Sequence, residues 1–390
     1  MKIPDNLLGE IRTDDFMRDF WQKKPLVIHA ALPNFTSPIS ADDLAWLSCE
    51  DDATSRLILE KGGSSPWELR YGPFAEEDFQ LLPESSWTLL VHEVDQWDPD
   101  VAQILDAFRF IPNWRLDDIM VSYAPDGASV GAHVDNYDVF LLQALGRREW
   151  RIGTSPLVDE NLVPDVDVSI LADFEPDEIH ILEPGDLLYL PPRYAHHGIA
   201  MGDCMTYSIG FRAPSHEDIL SGFLSRVLEQ IDPMERYSDP DLEVQDHPGL
   251  IRRGALERVR DVIRNAMPDE EIDRWFGYFV TEPKGGDTIP VSDETWDAQA
   301  LRNTIEKGAT LVRWSPTRFA YIELTGGIIS LFAHGDEYIL EPELAFAAPL
   351  LTGTKPLNDA TLREYLETPE FLLVLLELVN DGHIEVEMPE

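Results

Sequence analysis

Cysteine is nearly absent from this chain: Cys49 and Cys204 are the only two, and neither stands in a C-x-x-C pair. That excludes a disulfide-stapled fold and a cysteine zinc knuckle. Basic residues are scarce too, with 30 Lys and Arg against 73 Asp and Glu, a net charge of −43. A field of that sign repels nucleic-acid phosphate and anionic lipid and attracts basic partners, though it also serves plain solubility. Long apolar runs are missing as well, since no segment approaches the roughly 18 residues that read as a bilayer span. The N-terminal MKIPDNLLGEIRTDDF has no basic segment leading into an apolar stretch of signal-peptide type. Together these absences predict a soluble, cytoplasmic protein with no membrane or direct DNA binding. Two acidic runs, Glu93–Asp100 and Asp165–Glu178, are denser than the rest.

What the chain does have is core material: 44% hydrophobic and 10% aromatic residues over 390 positions. That is enough for two or three domains at about 150 residues each. In DDFMRDFWQKKPLVIHAAL the apolar spacing predicts a helix to Trp21, a stop at Pro25 and a strand in LVIHA, with a further helix before residue 50. From about residue 54 to 212 the texture is short β-rich runs between Gly and Pro turns, which predicts a sandwich or barrel. Within EIHILEPGDLLYLPP, Pro184-Gly185-Asp186 predicts a hairpin turn. After Pro214, HEDILSGFLSRVLEQI and GALERVRDVIRNAMPDEEIDRWFGYFV read as amphipathic helices. They carry more apolar surface than a linker needs, which predicts a symmetric homodimer. TEPKGGDTIPVSDE, residues 281–294, reads as a linker. The last ninety or so residues mix the strands TLVRWS, FAYIEL and IISLFA with helices around Leu362–Leu366 and Phe371–Asn380, a small α+β pattern of winged-helix type.

The stretch GAHVDNYDVFLLQALGRREWRIG carries the chemistry. His133 and Asp135 stand two apart at what reads as the start of a buried strand, and i, i+2 side chains of a strand share a face. One imidazole and one carboxylate on a rigid element are two ligands of a 2-His-1-carboxylate iron(II) triad. The third ligand is sought in PPRYAHHGIA, where His196 and His197 compete; neighbouring strand residues face opposite ways, so one of the two is expected to reach a metal. An isolated H-x-D arises readily by chance, and Asp135 at a strand end is explained as cheaply by solvation. The combination with the later histidines in a β-rich region raises it above that. Past Gly146, Arg148 shares its face with the bulky Trp150, which predicts an interior guanidinium suited to a co-substrate carboxylate.

GAHVDNYDVFLLQALGRREWRIG, LEPGDLLYLPPRYAHHGIA and TYSIGFRAPS resemble the JmjC-type 2-oxoglutarate oxygenases. Within them the chain is most similar to the bacterial ribosomal oxygenases, which hydroxylate an arginine of large-subunit ribosomal protein sixteen. The likeness spans the chain and is most specific from Trp114 to Pro214. It implies a mainly β fold with added helices: a double-stranded β-helix (cupin/JmjC) oxygenase domain over 1–214, a helical dimerisation region over 215–285 and a winged-helix-like α+β domain over 286–390. It implies Fe(II), 2-oxoglutarate and O2 as cofactor and co-substrates. The family's iron ligands fall on His133, Asp135 and His196, the last chosen over His197 by its position after Pro-Pro-x-x-x and before x-Gly. The 2-oxoglutarate carboxylate falls to Arg148, with hydroxyl help from Ser122 and Thr206; at Thr206 the family pattern expects asparagine. Tyr137 and Asp138 lie where substrate contacts are expected.

These readings converge on an iron- and 2-oxoglutarate-dependent hydroxylase of a basic ribosomal protein, with an arginine side chain as its target. Rival readings are a JmjC-type oxygenase acting on a histidine or another basic protein, a demethylase or small-molecule oxygenase on the same core, and a non-catalytic acidic protein that docks a basic partner. The acidic tail ELVNDGHIEVEMPE speaks against DNA binding by the winged-helix-like part.

Overall fold

The structure is a computed structural model that describes residues 7–62, 66–283, 295–314 and 316–388. The chain divides into two compact units, Met1–Ala213 and Pro214–Glu390.

The first unit is built on one antiparallel sheet. Its strands are β1 (Leu26–Ile28), β2 (Ser55–Glu60), β3 (Trp67–Tyr71), β4 (Trp87–Val91), β5 (Leu116–Ala124), β6 (Val139–Pro156), β7 (Glu178–Leu182), β8 (Leu187–Leu190) and β9 (Tyr194–Phe211). They are ordered β1-β8-β6-β9-β5-β4-β2-β3, with β7 also on β6. The two 18-residue strands β6 and β9 form its spine. Val139–Leu142 of β6 are buried without alternation, as in a central strand. Beyond Gly146 the period becomes two: Arg148, Trp150 and Ile152 are buried, while Arg147 is exposed.

A helix, the strand β1 and a second helix occupy the chain before β2, as the apolar spacing predicts. The helix α1 (Thr13–Asp19) places Asp14 and Asp15 at its positive end and Arg18 in its last turn. Its one buried residue, Phe16, meets Phe140 at 5.6 Å and Tyr189 at 5.0 Å between ring centroids. Full burial of such a ring contributes about 2–3 kcal/mol. The helix α2 (Ala41–Leu47) starts in a capping box of Ser40 and Asp43.

The expected hairpin at Pro184-Gly185-Asp186 is not formed. β7 and β8 do not pair with each other; β7 pairs with Arg148–Ile152 of β6, and β8 with Val139–Leu142 of the same strand. They are two lengths of one antiparallel partner, kinked opposite Gln143, whose N–H donates to the Asp186 carbonyl and whose carbonyl accepts from Gly185. Gly185 has φ +91°, and a Cβ there would stand 2.3 Å from the Leu32 carbonyl oxygen. The Asp186 carboxylate accepts from the N–H groups of Ala30 and Glu183. These contacts hold the kink, and the long β6 leaves room for both lengths.

In the second unit, α3 (His216–Gln230), α4 (Arg253–Asn265) and α5 (Asp269–Thr281) come first. Phe223 and Val227 of α3 pack with Trp275 of α5 in a small core. Two three-stranded antiparallel sheets follow. One runs β14-β10-β15 (Leu357–Asn358, Thr310–Arg313, Ile384–Glu387); the other is the meander of β11 (Phe319–Glu323), β12 (Ile329–Ala333) and β13 (Asp336–Leu340). The helices α6 (Ala298–Glu306) and α7 (Pro369–Asn380) share a second apolar core with them. Most of the expected linker, residues 284–294, lies outside the described residues. No described helix is long and apolar enough to cross a membrane.

Candidate metal centre

His133 and Asp135 precede the strand they were expected to open, because β6 begins at Val139. What fixes them instead is an isolated antiparallel bridge between His133 and His196 of β9. The His133 N–H donates to the His196 carbonyl (3.0 Å), and the His196 N–H donates back to His133 (2.9 Å). The Asp135 carbonyl accepts from the Arg193 N–H at 2.7 Å, which ties the same loop to the entry of β9. Backbone pairing thus supplies the rigidity that a strand position was expected to supply.

The bridge brings the two histidine rings to 4.2 Å between centroids, and Asp135 Oδ2 lies 3.5 Å from His196 Nε2. Among the described residues His133, Asp135 and His196 form a three-residue group with ligand atoms within 4.8 Å of one another, the only such group of His, Cys, Asp or Glu. Each ring is also held from behind. His133 Nδ1 faces the Gly131 carbonyl at 3.1 Å, and His196 Nδ1 faces the Tyr194 carbonyl at 3.0 Å. A carbonyl only accepts, so both Nδ1 atoms carry the proton and both Nε2 atoms keep a lone pair for a metal. Burial, followed by the neighbouring His133, pushes the His196 pKa down to about 4, so its ring is neutral at physiological pH. Two imidazole nitrogens and one carboxylate fit a divalent first-row metal such as iron(II).

His197 faces the other way. It lies against Ser129 Oγ at 2.9 Å and pairs in register with Arg151. Burial pushes its pKa to about 4 as well, so a low pKa does not separate the two histidines; direction does.

Trp150 connects this centre to the expected co-substrate arginine. Its ring lies 5.9 Å from that of His196, and the Arg148 guanidinium stands 5.7 Å from the Trp150 ring centroid. Arg148 is 4% exposed, yet no carboxylate is within ion-pair distance of it among the described residues. Its Nε donates to Cys204 Sγ at 3.4 Å, and its buried Nη2 has no hydrogen-bond partner. A buried, unpaired guanidinium is costly on its own and fits an anionic ligand. The distal carboxylate of 2-oxoglutarate has the matching planar shape. Gly198, across from Trp150, leaves room for this arrangement, because a Cβ there would meet the indole at 2.7 Å and Arg148 Cδ at 3.0 Å.

Ser122 and Thr206 are register partners on β5 and β9, both buried. The Thr206 hydroxyl donates to Gln143 Oε1 at 3.0 Å. Its one proton is spent there, so it offers a carboxylate no donor in this arrangement. The Ser122 hydroxyl donates to the Thr206 carbonyl at a long 3.3 Å and is the more readily redirected of the two.

Asp138 requires a correction as a substrate contact. It is 0% exposed, and its carboxylate accepts from Tyr189 Oη (2.6 Å), Gln22 Nε2 (2.8 Å) and Arg115 Nη2 (3.0 Å). Burial raises its pKa, and these three donors oppose the rise. The group is a structural tie beneath α1. Tyr137, by contrast, is 42% exposed. Its phenol pKa is raised by desolvation, then by the carboxylates of Asp135 and Asp118. Asp118 is the acidic neighbour of Tyr137 that the sequence reading missed; adjacency in sequence had pointed to Asp138 instead.

Comparison with known proteins bears on both units. The JmjC domain family matches residues 103–219, and the ROXA-like winged helix family matches residues 261–385. Ribosomal protein uL16 3-hydroxylase of Escherichia coli (strain K12) is 34% identical over 370 residues, covering 95% of this chain and 96% of its own. A probable ribosomal oxygenase of Haemophilus influenzae is 34% identical over 344 residues, covering 86% and 83% of the two chains. The structure of YcfD, a ribosomal oxygenase from E. coli in complex with cobalt and 2-oxoglutarate, superposes with a TM-score of 0.83 at 33% identity, covering 97% of this chain and 99% of that one.

Proposed function

Because this chain belongs to the ribosomal oxygenase family of JmjC-domain proteins, we propose that it is an iron(II)- and 2-oxoglutarate-dependent hydroxylase of ribosomal protein uL16, acting on an arginine side chain. The observation that carries this reading is the combination, around Trp150, of a three-ligand group with a buried guanidinium that has no anion of its own. A vestigial binding protein has no use for that cost.

When bound, iron, 2-oxoglutarate and O2 together supply oxidative decarboxylation to succinate and carbon dioxide, with insertion of one oxygen atom into a C–H bond. His133, Asp135 and His196 hold the metal. The Gly131 and Tyr194 carbonyls keep both rings in the ligating tautomer. Arg148 holds the distal carboxylate, with Ser122 as the more readily redirected of the two expected hydroxyls. Trp150, Ile152 and Leu190, packed in one buried cluster, exclude water from that side. Tyr137, 42% exposed, offers a ring face suited to a guanidinium. The net charge of −43 suits a basic ribosomal protein and disfavours DNA, so the winged-helix part is not read as a duplex reader. A ribosomal substrate supports a cytoplasmic location.

The second unit is read as the seat of a homodimer. Leu220, Leu224 and Leu228 repeat every four residues on α3 and are exposed, and α4 exposes Leu256, Val259, Val262 and Ile263 with no buried residue of its own. A second copy of the same helices is the occupant that such a self-matching stripe fits.

The test is iron-reconstituted protein with 2-oxoglutarate and a basic uL16 fragment, following succinate and peptide mass together. Succinate matched by a gain of about 16 Da on arginine is expected, the mass of one inserted oxygen. Tight peptide binding without succinate would establish the non-catalytic reading instead, and a shift on histidine would redirect the substrate assignment.

A further inference from the structure

Strands β6 and β9 are paired over most of their length, with register shifts between Gln143 and Leu145, between Leu145 and Arg147, and between Ile152 and Pro156; the second leaves the most residues unmatched on β9. Leu145 faces Met205 and Arg147 faces Met201, so Gly146 alone on β6 is matched by residues 202–204 on β9. Glycines permit the bulge on both sides. Gly202 has φ +79°, and Gly146 has φ +61° with the Asp203 carbonyl oxygen 2.1 Å from where a Cβ would stand. The last residue of the bulge is Cys204. It is fully buried, and its Sγ accepts the Nε proton of Arg148 at 3.4 Å.

Among the described residues, this sulfur is the one hydrogen-bond acceptor that Arg148 has. Its character matters. A carboxylate in its place would neutralise the guanidinium and compete with any ligand carboxylate. A thioether-like or thiol sulfur is a weak, uncharged acceptor that orients the group and leaves its charge unspent. With Nε directed at Cys204 and the indole of Trp150 beside the guanidinium, the rotation of the planar group is limited from two sides. Nη2 is left buried and without a partner.

We propose that Cys204 is a positioning residue for co-substrate binding: it fixes the plane of the Arg148 guanidinium through Nε, so that the free edge meets the distal carboxylate of 2-oxoglutarate already oriented. The proposal rests on the reading of Arg148 as the carboxylate grip. It adds the bulge residue that orients that grip, a role that no feature of the iron triad requires. Orientation set before binding raises affinity by removing the cost of ordering the side chain afterwards.

The experiment is calorimetric titration of 2-oxoglutarate into the manganese-loaded full chain, for the parent, Cys204→Ala, Cys204→Ser, Arg148→Ala and the Cys204→Ala/Arg148→Ala double variant. Cys204→Ala is expected to weaken 2-oxoglutarate about three- to tenfold, the scale of one ordinary hydrogen bond, because sulfur is a weak acceptor. Cys204→Ser keeps an acceptor and is expected to recover most of that loss. In turnover, the change should fall on KM for 2-oxoglutarate and not on kcat. Added to Arg148→Ala, the cysteine change should cost nothing further, because the group it orients is gone. The probe 2-oxopentanoate, which has the keto-acid end and no distal carboxylate, should bind parent and Cys204→Ala alike. If Arg148→Ala weakens 2-oxoglutarate and neither cysteine variant does, the positioning role is overturned while the Arg148 reading stands. An additive double variant, or equal weakening of 2-oxopentanoate, also overturns it, since either shows general loosening of the barrel. If Arg148→Ala binds 2-oxoglutarate like the parent, the underlying reading fails and the proposal falls with it.

Discussion

The two units of this chain break opposite rules. The barrel unit buries polar groups: Asp138, Gln143, Arg148, His196, Ser122 and Thr206 are all inside it. The C-terminal unit buries fewer polar groups, among them Ser330 and His383, and it leaves the apolar side chains of α3 and α4 in the open, with Leu228 70% and Val262 61% exposed. A buried polar group and an exposed apolar patch are the informative departures from ordinary burial, and they point to different partners. Polar groups inside a barrel await a small, charged ligand. Apolar stripes outside a helical layer await another protein surface. On the reading proposed here, chemistry and assembly belong to separate units of the one chain, so each is expected to break without the other.

The largest effect should come from breaking the polar interior. His133→Ala, Asp135→Ala and His196→Ala are each expected to abolish turnover and metal retention. His197→Ala, which loses only the Ser129 contact on the opposite strand face, should keep metal and a substantial part of the activity. Metal content and succinate release for the four variants check this. Loss of metal in His197→Ala with retention in His196→Ala would reverse the ligand choice.

The next test breaks the apolar exterior alone. Leu224→Glu with Val262→Glu puts charge into the exposed stripes of α3 and α4 without touching a buried residue. Light scattering at micromolar concentration should report a dimer for the parent and a particle of about half that mass for the variant, as burying unpaired charge costs several kcal/mol. Metal content should be unchanged. A parent that already scatters as a single 44.2 kDa chain would remove the dimer from the comparison.

How much of this contrast could be read in the sequence follows the same division. The triad was legible because the H-x-D spacing and the position of His196 after Pro-Pro survive any error about secondary structure. They did survive one, since His133 is held by a bridge and not by a strand. Arg148 was legible because alternation after Gly146 places it with Trp150. Asp138 was not, because burial depends on donors from Gln22, Arg115 and Tyr189, which are remote in sequence. The hairpin expectation failed for a related reason. Pro-Gly-Asp is a turn signal, but only the length of β6 decides whether the flanking strands pair with each other or share a partner. Cys204 carries no local signal at all, because its neighbour Arg148 is brought to it by a register slip.

A smaller effect concerns acid. In the folded barrel the His196 pKa is pushed down to about 4 from an ordinary 6.5, so the unfolded chain binds more protons than the folded one between those values. Stability of the metal-free protein therefore falls as pH drops through that window. His196 alone accounts for about 2 kcal/mol by pH 5. Metal should offset the loss by occupying the nitrogen that would be protonated. Hydrogen exchange at pH 7 and 5 checks this, with β9 expected to lose more protection than β12. Equal loss in the two strands would mean that the buried His383 of the second unit, whose pKa burial also lowers, matters as much.

The smallest effect lies on the surface and asks whether the acidic charge belongs to one unit or to both. A net charge of −43 draws a basic polypeptide in before any specific contact forms. Exposed charges are screened over about 8 Å at physiological salt, so steering weakens as salt rises. Between about 50 and about 300 mM salt, kcat/KM for a basic uL16 fragment should fall about three- to tenfold while uncoupled turnover of 2-oxoglutarate changes little. The acidic runs of the barrel unit, Glu93–Asp100 and Asp165–Glu178, should dominate this dependence if substrate enters there. Asp165→Asn, Asp167→Asn and Asp173→Asn together should flatten the salt curve. Glu235→Gln, Asp239→Asn and Glu243→Gln in the second unit change the net charge equally and should leave the curve steep. Equal flattening by both sets would show that the field acts as a whole, and that the division between a chemical unit and an assembling unit does not extend to the surface charge.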